Sequence, residues 1–330
     1  MKSQSQSFRP LPINIGPAHT SRQRYIGIFL AVLGAALFAL KGIFIKLAYG
    51  ANPALNALTL LAIRMGLAVP VYILILLWAL KRRDKPQALT RKHFFAAGAL
   101  GLTGYYLAAY LDFSGLQYVS AQLERLILYT YPVFVMILGA LFFGKTMSVR
   151  GFAAMLISYS GLALIFARGS IASGDQVLFG AALVTGAALS FAVFQLLAAG
   201  QIKIVGSAVF TCVAMISAGT GILIHFTVDS IVDGSFEKIL SQPQIVWLIG
   251  GMIALFSTLI PSFLINVALG RIGAQAVAVV SMISPLVTIV LAVAVLGETF
   301  EFYDAVGTLL TVFGIGLFTW YERKPVVAKR

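Results

Sequence analysis

Six ionisable side chains stand inside otherwise apolar stretches: Lys41, Lys46, Arg64, Asp112, Glu124 and Arg125. An ionised group buried in hydrocarbon persists only with a partner, a wet cavity or a charged ligand, so each is a candidate functional residue. Four of the six are positive and two negative, a bias that suits a solute carrying a carboxylate. In that reading Lys41 or Arg64 holds the carboxylate, and Glu124 or Asp112 takes an ammonium or a proton. Tyr106, Tyr129, Gln195 and Asn266 are expected as polar or aromatic lining of the same site.

Each residue also has a structural reading. At 1.5 Å of rise per residue, Lys41 lies about 24 Å along its apolar stretch and Arg64 about 12 Å along the next. Lys41 must therefore face protein or water, either in a cavity or beside an acid. Lys46 is turned about 140° from it on a helix and can snorkel to the interface. Arg64 suits a substrate contact or a salt bridge between helices. Glu124 could equally cap a helix N-terminus. The tyrosines near Asp112 could belong to an interfacial aromatic belt. Pro132 and Pro285 remove helix hydrogen bonds and are candidate hinges, or simple packing kinks.

The elements that position these residues follow from hydropathy. The 330-residue chain is 60% hydrophobic and 11% charged, with a mean hydropathy of +0.95. Soluble domains carry about 25% charged residues, so lipid is the solvent that accounts for the excess. A helix crosses the hydrocarbon layer with about 20 apolar residues. Ten stretches qualify: 25–49, 56–80, 93–115, 121–143, 149–168, 177–200, 206–227, 245–268, 274–296 and 303–321. The fold class is all-α integral membrane. The acids of the longer connection 228–244 predict a solvated excursion.

Lys and Arg set the orientation. With the N-terminal end cytoplasmic, the inner segments hold four in 1–24, six in 81–92, two in 144–150, Lys203, Arg271 and four after Glu322, eighteen in all. The outer loops hold Arg168 and Lys238. Residues 1–24 and 322–330 read as basic cytoplasmic tails, the first without the cleavage site of a signal peptide. Topology thus accounts for the net charge of +13, with lipid contact at 81–92 and no need of nucleic acid. Cys212 is the single cysteine, and His19, His93 and His225 are scattered, so no metal site, cofactor or enzyme centre is expected.

The chain also repeats itself. A shift of 153 places Leu116, Ala121, Gln122, Pro132, Gly144, Thr146 and Gly161 on Leu269, Ala274, Gln275, Pro285, Gly297, Thr299 and Gly314. A shift of 152 places Gly34-Ala35-Ala36-Leu37 on Gly186-Ala187-Ala188-Leu189. Each copy, 25–168 and 177–321, holds five spans. Five is odd, so the second copy enters the membrane inverted. Lys145 then falls inside and its equivalent Glu298 outside, as the charge rule prefers.

These residues resemble the EamA branch of the drug/metabolite transporter superfamily. The resemblance rests on Leu-Gln-Tyr-Val-Ser-Ala-Gln at 116–122, Tyr-Pro-Val-Phe at 131–134 and Gly-Lys-Thr at 144–146, with a second copy in Ile-Gly-Ala-Gln, Ser-Pro-Leu and Leu-Gly-Glu between Leu269 and Glu298. It implies ten helices, inverted five-helix repeats and a central cavity lined by both halves. With no targeting peptide, it also points to a bacterial inner membrane, but it does not imply a substrate. The inverted repeats point to alternating access, read here as export of a small metabolite, and Glu124 makes protons a candidate coupling ion. Lys145 departs from the Glu often found in the family's first copy. Export of lipophilic cations is the alternative within the class, and a non-transporting scaffold the alternative outside it.

The orientation is tested by cysteine labelling in a Cys212→Ala background. Gln87→Cys should react only from the cytoplasmic side of the membrane, and Asp233→Cys only from the other.

Overall fold

A computed structural model describes residues 21–82, 90–143, 149–173, 175–232, 237–281 and 283–321. The basic tails fall outside these residues except Ser21–Arg24, as do Lys145 and Asp233. All the regular structure described is helical: α1 (Ser21–Ala51), α2 (Ala57–Lys81), α3 (Arg91–Gly101), α4 (Ala108–Gly115), α5 (Ala121–Leu128), α6 (Tyr131–Phe143), α7 (Val149–Ser173), α8 (Asp175–Val205), α9 (Ser207–Val232), α10 (Glu237–Leu240), α11 (Gln244–Ala254), α12 (Ile260–Ser281), α13 (Ile283–Leu296) and α14 (Phe302–Tyr321). Seven runs are long and apolar enough to cross a membrane, and α7, α13 and α14 bring the spans to ten.

Local chemistry sets the boundaries. Asn56 starts α2 by accepting the Thr59 N–H at 2.7 Å, and Ser120 starts α5 by accepting that of Leu123 at 3.1 Å. Thr90 and His93 form a reciprocal cap on α3. At the other end of a span, Gly206 takes φ of 90° between α8 and α9, a conformation only glycine adopts cheaply.

The duplication appears in the irregularities. Leu102–Leu107 joins α3 to α4 as a π-helical turn, and Leu255–Leu259 joins α11 to α12 in the same way. Their starting residues are 153 apart. A π turn accommodates one extra residue and leaves carbonyls needing other donors. Thr103 O accepts from Ser190 Oγ at 2.8 Å in addition to the Ala108 N–H, and Ile253 O is met by Thr258 Oγ1 at 2.9 Å. The fourth span of the first copy is interrupted at Tyr129–Thr130, between α5 and α6.

Two boundaries differ from the sequence reading. Pro132, expected within a span, sits in the first turn of α6, just after this interruption. There the missing N–H costs nothing, because first-turn amides have no intrahelical partner. In addition, α12 runs unbroken through 269–273, where a loop was expected. The first copy breaks at the equivalent place because Ser120 caps a new helix. The second copy has Gly273 there, which offers no side-chain acceptor.

The two halves interlock. In each, the first span lies against the third and fourth spans of the other: α1 along α11, α12 and α13, and α8 along α3, α4, α5 and α6. Two further large contacts pair equivalents, α2 with α9 and α7 with α14, while α3 also lies along α9 and α2 along α11. The α7–α14 contact is reciprocal. A Cβ on Gly161 would meet Gly307 O at 2.4 Å and Thr311 N at 2.7 Å, and one on Gly314 would meet Ser158 N at 2.4 Å. Partner numbers fall along α14 as they rise along α7, so the equivalents run antiparallel, as an inverted repeat requires. Gly161→Leu or Gly314→Leu should destabilise the folded protein by about 1–3 kcal/mol or more through overpacking. Gly50→Leu, with open space around it, should not. Thermal unfolding of the purified variants in detergent checks both.

Candidate functional site

Asp112 on α4 and Glu124 on α5 both face Lys41 of α1. Lys41 Nζ is hydrogen-bonded to Asp112 Oδ2 and stands 3.3 Å from Glu124 Oε1. The two acids are 3% and 0% exposed. The choice left open for Lys41 is thus met by acids on two other helices. Packing holds this close: any side chain at Gly42 would approach Glu124 Oε2 at 3.3 Å.

Arg125 extends the cluster into the second half. Its Nε lies 3.9 Å from Glu124 Oε2 and donates to Thr288 Oγ1 of α13 at 3.1 Å, while Nη2 donates to Phe38 O of α1 at 2.7 Å. Thr288 in turn donates to Ala39 O at 3.2 Å. One guanidinium therefore ties α5 to α1 and α13. The positive and negative groups of this cluster balance: Lys41 and Arg125 against Asp112 and Glu124. Among the described residues, Asp112 Oδ1 and both Glu124 oxygens have no hydrogen-bond donor.

Arg64 of α2 is different. It is 6% exposed, its Nε donates to Thr258 Oγ1 in the second π turn at 2.9 Å, and its guanidinium lies over the Phe113 ring, 5.3 Å from the centroid. Among the described residues no carboxylate lies within 4 Å of it. Asp112, next to Phe113 in the chain, acts on it electrostatically from farther away. Tyr72 and Ser262, 3.0 Å apart, stand beside the same turn, with Tyr72 Oη also 3.4 Å from Thr258 O.

The other expected residues divide. Tyr129 neighbours Arg125 and Glu124. Tyr106 bonds His225 of α9 at 3.0 Å, away from the lysine, with Tyr110 against the same imidazole. Gln195 is exposed on α8 and reaches Tyr131. The side chains of Asn266 and Pro132 lie outside the described residues, and Pro285 is buried. Lys46 is half-buried near Glu298. Sequence reasoning missed Thr258 and Thr288, because a threonine in an apolar run is neutral and common. Their signal is relational: each serves a guanidinium from the other half.

Removing one partner of a buried charge network leaves the other uncompensated, at a cost of about 3–5 kcal/mol. Lys41→Met should therefore lower the thermal midpoint sharply. Adding Asp112→Asn should recover part of the loss, since one orphaned charge disappears. Unfolding of the single and double variants in detergent reads the difference.

Comparison with known proteins agrees with this architecture. The EamA-like transporter family matches twice, over residues 25–167 and 178–320. An uncharacterized transporter of Bacillus subtilis (strain 168), YcbK, is 29% identical over 288 residues, covering 87% of this chain and 90% of its own. An uncharacterized transporter of Archaeoglobus fulgidus is 27% identical over 296 residues, covering 88% and 96%. A solved crystal structure with 17% identity superposes with a TM-score of 0.59 over 92% of this chain and 99% of the other, a likeness of fold. Two matches, one to each five-span half, cover most of the sequence: the chain is a multi-pass membrane protein and belongs to the EamA-like transporter family.

Proposed function

We propose that this transporter moves a small carboxylate-bearing metabolite by alternating access, outward across a bacterial inner membrane, with both ends of the chain in the cytoplasm. The observation that carries the substrate class is Arg64, a buried guanidinium with no carboxylate in ion-pair range among the described residues. A planar guanidinium presents five donors in a fork that matches a carboxylate. Nε is engaged by Thr258, which fixes the plane and leaves the other edge to a solute.

The Lys41 cluster supports a second element, coupling to protons. Two carboxyl groups share one ammonium, so a proton arriving at either would loosen the bond that joins α1 to α4 and α5. The site draws on both halves, through Thr258 and Thr288, as movement of one repeat against the other requires. Pro132, with the interruption before it, and its matched Pro285 are the hinge candidates. The orientation is supported by the eighteen cationic residues on one side against two on the other.

Counterflow in proteoliposomes with amino acids, organic acids, sugars and lipophilic cations tests the reading. Flux should be confined to carboxylate-bearing solutes, and Arg64→Gln should reduce it at least about a hundredfold, the scale of one desolvated charge-assisted contact. Flux of lipophilic cations alone would overturn the substrate class. Flux unchanged in both Arg64→Gln and Lys41→Ala would overturn the site.

A further inference from the structure

Glu298 is the second copy's equivalent of Lys145, and its carboxylate is spent on the first copy. It follows Gly297, which takes φ of 65°, and its N–H returns to Ala292 O at 3.2 Å, closing the end of α13. From this fixed turn Oε1 accepts the Ala121 N–H at 2.8 Å and Oε2 that of Gln122 at 3.3 Å. Gln122 answers by donating Nε2 to Thr299 O at 3.3 Å. The first amides of α5 are therefore met from two sources: Ser120 takes Leu123 N–H, and Glu298 takes the two before it. An anion at a helix N-terminus is also favoured by the helix dipole.

The helix held in this way is α5, which carries Glu124 and Arg125. The contact lies at the end of the bundle where α1 and α13 finish and α2 and α5 begin. Ile43, Ala121 and Ala292 pack together just beneath it. At the opposite end the equivalent residues cannot make the same bond. A lysine occupies 145, and Gly273 replaces the capping Ser120 ahead of Ala274 and Gln275.

We propose that Glu298 is a one-sided latch: it closes one end of the transport path by docking the end of α13 onto the start of α5, and that end opens only when the carboxylate lets go. Releasing α5 would at the same time draw Glu124 from Lys41, so gate and buried cluster move as one piece. The proposal rests on the transporter assignment and not on the choice of substrate.

The test uses the purified full chain in detergent, in a Cys212→Ala background, with a water-soluble maleimide. Ile43→Cys probes the latched end and Ala268→Cys, packed on Ala31, the other. Glu298→Ala should speed labelling of Ile43→Cys by about an order of magnitude or more, the scale of losing two charge-assisted hydrogen bonds. Labelling of Ala268→Cys should stay the same or slow. Glu298→Gln, which keeps one acceptor oxygen without the charge, should fall between, and it carries the test if Glu298→Ala does not purify as a folded monodisperse species. Unchanged labelling of Ile43→Cys in a folded variant would overturn the latch. Equal acceleration at both ends would also overturn it, as general loosening. Solute flux by the parent protein reports on substrate class separately, so the two readings fail independently.

Discussion

The cost of holding an ionised group in an apolar bundle governs this structure. A lysine ammonium in the middle of a span cannot be left unpaired, and Lys41 is matched by Asp112 and Glu124 from two other helices. That demand fixes where α1, α4 and α5 stand relative to one another. The second cation, Arg125, repeats the constraint with different partners, taking two carbonyls of α1 and a threonine of α13. Desolvation offsets much of the Coulomb gain, so such a network contributes specificity of arrangement more than net stability. In a carrier that is useful, because the arrangement is well defined.

The scaffold around the network is close to symmetric, while the chemistry is not. The spans of both halves share π turns and matched prolines. Yet all six ionisable residues singled out belong to the first copy, and the second copy supplies neutral partners, Thr258 and Thr288. Because each half's first span lies against the other half's third and fourth, neither copy contains a complete site.

Much of the fold was legible from hydropathy and repetition, because lipid makes apolar length a strong signal. The buried charges were legible for the same reason, being costly enough to stand out in an apolar run. What stayed hidden was pairwise. Nothing local in the sequence assigns Asp112 and Glu124 to one lysine, or sends Tyr106 to His225 instead. The interruption at Tyr129–Thr130 was masked by continuous hydrophobicity on either side. The break expected at 269–273 failed to appear because capping chemistry, not hydropathy, decides where a helix restarts.

The π turns at Leu102–Leu107 and Leu255–Leu259 bear on descent as well as geometry. An inserted residue in a helix shifts the facing of everything that follows, so two independent insertions at one register would be a coincidence of both position and size. The economical account is that the bulge was already present in a single five-helix ancestor before it was doubled. That ancestor would have worked as an antiparallel pair, with the α7–α14 and α2–α9 contacts as self-complementary faces across its two-fold axis. The charges gathered in one half, and a carboxylate at 298 where the first copy has a lysine at 145, then record what happened after fusion freed the two copies to diverge.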